Sequence, residues 1–396
     1  MFSTVLAGVV GILLAGHVAG LILLIRNRRW MAWSAEQRSR PTGQHSITVI
    51  VPARNESRDI GTCLESLLAQ DYPKLQIVAV NDHSDDDTGS VMDQLAARDD
   101  RLTVIHHPVL KPGWLGKHNA MQAAYERTDA DFILLTDADV EFAPGCLSAA
   151  IAEAEVRSLD MLSLCPRFSY ATFCETMLLP IYVGGAAFLL SPAIEDPESP
   201  HAMAIGAFIL VRGERLREVN GLEQIRARIL DDVSLAELFK QRGWRISLRA
   251  APDLMHVRLF KSNRHAFFGA TKHLLGLVQN AIWLAPLLAL VPALMYGILL
   301  FAAGYGFRHG YYVTAGLACV TLILHYSALL MTRPENRFNP ILALAFPCLA
   351  IQFAASCLMA VYSLVVKRTF RWRGRNTNLG TESAKKLEAV ETAPPG

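Results

Sequence analysis

The segment Phe132-Ile133-Leu134-Leu135-Thr136-Asp137-Ala138-Asp139 decides the fold. Four apolar residues in a row read as a strand buried on both faces, and two carboxylates one residue apart follow where that strand meets solvent. In an extended backbone Asp137 and Asp139 point the same way while Ala138 turns back into the sheet. Two hard oxygen donors on one side suit a divalent cation such as Mg2+ or Mn2+, completed by substrate phosphates. The same residues would also serve as a helix cap and a turn, so the neighbouring segments carry the decision.

Between Ser46 and about Arg258, short β-branched runs alternate with helical ones. Ile47 to Val51 reads as a strand, broken by the polar loop Pro52-Ala53-Arg54-Asn55-Glu56. Ile60, Cys63, Leu64, Leu67 and Leu68 then recur at helical spacing and give one buried stripe. Leu75 to Val80 is a second strand, ending in Asn81-Asp82-His83-Ser84-Asp85-Asp86, and Arg101 to Ile105 is a third. This alternation predicts an α/β domain with a mostly parallel sheet covered on both faces, its ligand sites at the carboxyl ends of the strands. Each polar loop lies at such an end.

Asp82 is nearest its strand, where a carboxylate can accept hydrogen bonds from a nucleobase or ribose; Asp85, Asp86 and Asp87 read mainly as caps of the next helix. Lys111-Pro112-Gly113-Trp114-Leu115-Gly116-Lys117 is a glycine-bracketed loop opening a helix near His118. Lys117 at a helix amino end suits a phosphate, or the loop is simply solvated. Asp231 and Asp232 open a helix carrying Val233, Leu235, Ala236, Leu238 and Phe239. One aspartate suffices for capping, which leaves Asp232 for general-base work.

The ends of the chain differ from its middle. At 396 residues, 52% hydrophobic and with a positive mean hydropathy, the chain is too apolar for a soluble domain alone. Thr4 to Ile25 carries no charge and is followed by Arg26, Arg28 and Arg29, the pattern of an uncleaved anchor with the next domain on the cytoplasmic side. Ala281 to Ala303, Tyr311 to Met331 and Ile341 to Val366 are further apolar runs. Four full spans would place the basic tail outside, against the positive-inside tendency, so either one run, foremost the proline-interrupted Ala281 to Ala303, is re-entrant or interfacial, or the tail is an exception. Phe173 to Leu190 reads as an interfacial segment or a buried core helix. The resulting organisation is an anchor over 1–30, the α/β domain over 44–258, an interfacial amphipathic segment over 259–280, spans over 281–366, and a basic tail over 367–396 that suits an anionic lipid surface and is disordered after Gly380.

A net charge of +2 gives no case for bulk nucleic-acid binding. The seven cysteines show no metal-ligand spacing and read as reduced packing residues. A transporter does not fit, because the apolar runs carry almost no ionisable residue except His325.

With these pieces together the chain resembles the inverting family-2 glycosyltransferases of GT-A fold. The resemblance is carried by Val51-Pro52-Ala53-Arg54-Asn55-Glu56, Asn81-Asp82, Asp137-Ala138-Asp139 and Leu230-Asp231-Asp232, in that order and spacing. More narrowly, Gly113-Trp114-Leu115-Gly116-Lys117, Leu230 to Ala236 and Trp372-Arg373-Gly374-Arg375 look like the hopene-associated glycosyltransferases, relatives of the ceramide glucosyltransferases. The resemblance implies a nucleotide-sugar, commonly a UDP-sugar, held by Pro52, Ala53, Asn55, Glu56 and Asp82. It implies that Asp137 and Asp139 hold the ribose and the metal, that Asp232 is the base, and that the catalytic domain sits on the cytoplasmic side of the inner membrane. Processive relatives carry a Gln-x-x-Arg-Trp motif; here Gln279-Asn280-Ala281-Ile282-Trp283 has Ile282 at the arginine position, so one sugar and one lipid acceptor are expected. Arg258 and Lys261, with Trp114, are candidates for holding the leaving diphosphate or the acceptor. Transfer to a polyprenyl phosphate or a polysaccharide, and an inactive lipid-binding homologue, are the competing readings.

Overall fold

The computed structural model describes residues 1–33, 45–278, 284–367, 369–372 and 375–378. The chain opens with α1 (Phe2–Met31) and enters the sheet at β1 (Ile47–Ala53). Then follow α2 (Ile60–Leu68), β2 (Leu75–Asn81), α3 (Thr88–Ala96), β3 (Leu102–His106), α4 (Gly116–Tyr125), β4 (Phe132–Leu135), β5 (Val140–Phe142), α5 (Cys146–Val156), β6 (Met161–Cys165) and β7 (Arg167–Ser169). Next come α6 (Phe173–Leu189), β8 (Ile209–Arg212), α7 (Gly213–Glu218), α8 (Asp231–Gln241), β9 (Ile246–Ala250) and β10 (Met255–Val257). The carboxyl-terminal part holds α9 (Asn263–Val278), α10 (Leu284–His309), α11 (Tyr312–Met331), β11 (Asn336–Arg337), α12 (Pro340–Ala343) and α13 (Leu349–Tyr362), then the hairpin β12 (Thr369–Trp372) and β13 (Arg375–Asn378).

The main sheet has the order β3-β2-β1-β4-β8-β6-β9. β1 to β4 are mutually parallel, and only β8 runs against its neighbours β4 and β6. Every residue of β1 and β4 is buried, as central parallel strands require. Val49, Val51 and Leu134 face a core shared with Ile60, Leu64 and Leu67 of α2, Met92 of α3 and Ile151 of α5. Ile50, Ile133 and Leu135 face the opposite core, with Met121 of α4 and Leu235 and Phe239 of α8. The two-faced α/β layering is therefore as the alternating pattern predicts. A second sheet, β11-β7-β10-β5, ties the segment after α11 to this domain.

Four segments are long and apolar enough to cross a membrane: Phe2–Met31, Ala285–His309, Tyr312–Met331 and Phe346–Lys367. α10 runs unbroken through Pro292, and the last candidate begins later than expected because Pro340–Ala343 forms a separate short helix. α6 buries Met177, Leu178 and Leu179 completely and packs on α1, α9 and α13, so the core-helix alternative describes this part of the segment and the interfacial one does not. α9, expected as an interfacial amphipathic segment, buries Ala266, Ala270, Leu274 and Leu275 and leaves Asn263, Arg264 and His273 exposed. α6 is apolar on more than one side, which a single-helix pattern cannot distinguish from lipid exposure. The end of α1 is fixed to the domain by Arg249 donating to the Trp30 carbonyl at 2.9 Å and by the Arg28–Glu335 ion pair at 2.8 Å. The basic tail forms the β12–β13 hairpin in part; 379–396 lie outside the described residues, as does the Gln279 to Trp283 segment.

Candidate active site

β4 ends at Leu135, and Asp137-Ala138-Asp139 occupies the turn that leads into β5. The extended geometry expected for this motif is thus replaced by a turn. Ala138 is buried in the core as anticipated, but the two carboxylates face different neighbours. Thr136 fixes the strand end by donating its hydroxyl to the Ala207 carbonyl at 2.7 Å.

On one side Asp137 meets the opening of α4 and α8. The Lys117 ammonium lies 2.8 Å from Asp137 Oδ1 and 2.6 Å from Asp231 Oδ2. Lys117 therefore bridges two carboxylates, where the sequence alone suggested a phosphate partner. Asp232 Oδ2 accepts from the Gly206 amide at 3.1 Å, and its Oδ1 accepts from the Val233 amide at 2.9 Å. A Cβ placed on Gly206 would stand 3.5 Å from both Asp137 Oδ2 and Asp232 Oδ2, so those oxygens are at most twice that distance apart. An alanine at 206 would rest in ordinary van der Waals contact with both carboxylates.

Burial, reinforced by the Asp231 charge, pushes Asp232 up to about 6. Burial acts on Asp231 in the same direction, but the charges of Lys117, His118 and Lys272 overcome it and hold Asp231 below the ordinary carboxylate range. Two adjacent aspartates are thereby driven apart, one kept ionised and one able to take up a proton near neutrality.

On the other side Asp139 is pushed up to about 7, first by burial and then by Asp137. It has no ion-pair partner among the described residues, and Cys63 and Asp59 lie beside it. The Lys261 charge only partly offsets the rise, so a divalent cation would compensate the carboxyl further, with Asp137 across the turn as a second oxygen donor and phosphates for the rest. No group of three or more His, Cys, Asp or Glu suited to holding a metal occurs among the described residues. A diphosphate would complete the set.

Asp59 and Lys261, which neighbour Asp139, belong to a cleft of about 200 Å³ lined also by Asn55, Glu56, Asp86 and His265. Asn55 takes a left-handed φ of 54°, which lets its amide reach Ser84 Oγ at 3.0 Å and its side-chain oxygen accept from the Asp85 amide at 2.8 Å. The Glu56 amide donates to Thr88 Oγ1 at 2.8 Å. Pro52 and Ala53 end β1 beside β2, and Asp82 is buried at the end of β2 with His83 Nδ1 3.2 Å from its carboxylate. Of the acidic residues that follow, Asp86 caps the start of α3 by accepting from the Thr88 amide and hydroxyl.

Lys261 sits in this cleft, 2.9 Å from Asp59. Arg258 is directed elsewhere: its guanidinium lies 3.3 Å from the fully buried Glu175, whose other oxygen holds the Ala171 and Thr172 amides at the start of α6. Trp114 packs into the α4–α8 core, and its ring lies 5.5 Å from the Lys111 ammonium. Neither contact brings Arg258 or Trp114 to the aspartates.

Two participants escaped the sequence reading. Gly206 is 26 positions before Asp232 and carries no side-chain signal. His118 is buried beside Asp231, neither ring nitrogen has a partner, and burial depresses its pKa to about 4. Its position next to Lys117 was the available clue.

Residues 48–173 match the description Glycosyl transferase family 2. The 4,4'-diaponeurosporenoate glycosyltransferase of Staphylococcus aureus strain MRSA252 is 23% identical over 349 residues, spanning 85% of this chain and 89% of that one. The protein of the same description from Staphylococcus haemolyticus is 23% identical over 258 residues, covering 63% of this chain and 66% of its own length. A mannosyltransferase from Pyrobaculum calidifontis, solved in complex with GDP-Man and Mn2+, is similar in structure with a TM-score of 0.53 at 19% identity, covering 92% of this chain and 99% of that one. The chain thus carries a glycosyl transferase family 2 segment in a GT-A fold, with apolar helices at both ends.

Proposed function

We propose that the protein is a membrane-bound, inverting, metal-dependent glycosyltransferase that moves one sugar from a nucleotide donor to the hydroxyl of a lipid, of hopanoid type or a related polyisoprenoid. The observation that carries this reading is the convergence of Asp137, Lys117, Asp231 and Asp232 at the end of β4, with Gly206 between two of the carboxylates. The staphylococcal relatives are described as acting on a lipid-like acceptor, and the archaeal structure holds a nucleotide-sugar and Mn2+.

In this reading the base and ribose, of a UDP-sugar by preference, lie against Pro52, Ala53, Asn55, Glu56 and Asp82, and the diphosphate lies toward Asp139 with Lys261 nearby. Asp139 and Asp137 would hold the divalent cation, which supplies charge neutralisation on the departing diphosphate. Asp232 takes the proton from the acceptor hydroxyl as its oxygen bonds to the anomeric carbon. The carbon–diphosphate bond breaks on the opposite face, the configuration inverts, and the nucleoside diphosphate leaves. Lys117 keeps Asp231 ionised so that the proton goes to Asp232.

The acceptor reaches this base from the bilayer. Ile229, just before α8, packs on the cluster built from α6, α9 and α13. The four apolar segments found among the described residues support a membrane-embedded chain, and the arginines at the end of α1 favour the inner membrane with the catalytic domain in the cytoplasm.

The test is transfer of radiolabelled sugar from UDP- and GDP-sugars to membrane lipid extracts by the full chain in nanodiscs. Asp232→Asn should abolish transfer while leaving donor binding intact. Undiminished transfer by that variant would remove Asp232 as the base, and label recovered only on polyprenyl phosphate would shift the acceptor class.

A further inference from the structure

The apolar helices hold a polar cluster for which the transfer chemistry has no use. His17 of α1 and His325 of α11 meet edge-on with ring centroids 5.4 Å apart. Tyr296 of α10 places its hydroxyl 3.1 Å from His325 Nε2, and Phe346 covers the His325 ring at 4.9 Å. Three helices thus contribute a polar side chain to one point. The Arg28–Glu335 pair marks the level at which the chain returns to the α/β domain. His325 lies six residues before Met331, about 9 Å along α11, and His17 eleven residues before Arg28, about 16 Å along α1. The cluster is therefore well inside the apolar zone, where unmet polar groups are costly and water is scarce.

The hydrogen-bond geometry fixes what the cluster lacks. His17 Nδ1 lies 2.8 Å from the Leu13 carbonyl. A carbonyl only accepts, so the proton is on Nδ1 and Nε2 carries a free lone pair. The Tyr296 hydroxyl has His325 Nε2 as its partner among the described residues; when it donates there, the His325 proton resides on Nδ1. Neither His17 Nε2 nor His325 Nδ1 has a hydrogen-bond partner among the described residues, and both side chains are only half-buried. One acceptor and one donor remain, on neighbouring rings.

We propose that His17 and His325 form an intramembrane subsite for a hydroxyl group carried on a lipid skeleton. A hydroxyl donates to His17 Nε2 and accepts from His325 Nδ1–H; a ketone or carboxylate only accepts and leaves His17 unmet. Because the cluster is separated in depth from Asp232, the hydroxyl read here is remote from the group that would react. The inference rests on the bilayer placement proposed above and not on glycosyl transfer itself.

The test uses the full chain in phosphatidylcholine nanodiscs and two photoactivatable probes, a hexadecanol bearing a diazirine near its hydroxyl and the matched alkane without the hydroxyl. The alcohol should label peptides of α1 and α11 about tenfold more than the alkane, the scale of two intramembrane hydrogen bonds. His17→Leu and His325→Phe should each erase the preference, and His325→Asn, which keeps a donor, should retain part of it. Tyr296→Phe, which removes only one hydroxyl, should weaken the preference and serves if the histidine variants fail to fold. Equal labelling by both probes, or a preference unchanged in every variant, would overturn the subsite and leave a trapped water as the occupant. Sugar transfer measured on the same samples separates the two readings: labelling contrast without transfer removes the enzyme and keeps the subsite, and transfer without contrast does the reverse.

Discussion

The two sides of the Asp137-Ala138-Asp139 turn are built on opposite electrostatic plans. On the Asp137 side one fixed ammonium, Lys117, is shared by Asp137 and Asp231 through two short contacts. The Asp139 side holds an enclosed carboxyl without an ion-pair partner among the described residues, and its pKa rises to about 7 from burial and from Asp137. The difference teaches how one turn can serve two chemistries. In the proposed reaction a fixed ammonium would organise the carboxylates that handle the acceptor, while the donor side would take its remaining positive charge from an exchangeable cation bound with the diphosphate.

The sharpest break in this comparison is Asp232→Asn, which keeps the Gly206 and Val233 contacts in shape but removes the proton acceptor. Transfer should fall about a thousandfold, within the usual span for general-base catalysis, with donor affinity unchanged by isothermal titration. Next is Lys117→Met. It leaves the partly exposed Asp137 and the more enclosed Asp231 without their shared ammonium, so both transfer and stability should suffer, the latter by about 2 kcal/mol in denaturant unfolding. Lys117→Arg, which keeps the charge, should restore most of the stability. If Lys117→Met is as stable as the parent, the bridge does not organise the acceptor side.

The pH dependence sharpens the contrast further. Asp232 must be ionised to accept a proton, so kcat/KM should fall as pH drops through about 6, the position to which burial and Asp231 raise it. Asp139 must be ionised to hold a cation, so at low metal a second loss should begin as pH falls through about 7. Saturating Mn2+ should remove the second limb and leave the first. A single limb indifferent to metal concentration would mean that the two sides are not separate.

Much of the α/β domain is legible in the residues because its signals are local. Val49, Ile50 and Val51 alternate between the two cores, and Ile60, Leu64 and Leu67 form the stripe that their spacing predicts. The polar loops after β1 and β2 are legible for the same reason, since each follows a strand directly. What was not legible depends on contacts between distant segments. Lys117 reads as a phosphate partner until α8 brings Asp231 to within 2.6 Å of it. Gly206 has no side chain to signal with, and Arg258 is drawn to Glu175, 83 positions away. α6 stays ambiguous in the residues alone because its apolar faces meet other helices of this chain, and composition does not distinguish a protein neighbour from a lipid one.

The smallest expected effect concerns His118, which separates the electrostatic plan from packing. Its imidazole is buried and neither nitrogen has a partner, a cost that an apolar replacement of similar size removes. His118→Leu should therefore leave stability unchanged or raise it by about 1 kcal/mol. With its pKa depressed to about 4 the ring is neutral near pH 7, and Lys117 holds Asp231 ionised without it. The same variant should leave kcat, the KM for the donor and the pH profile unchanged near neutrality. A loss of kcat of the same size at every pH would assign His118 to shaping the acceptor side rather than to its charge.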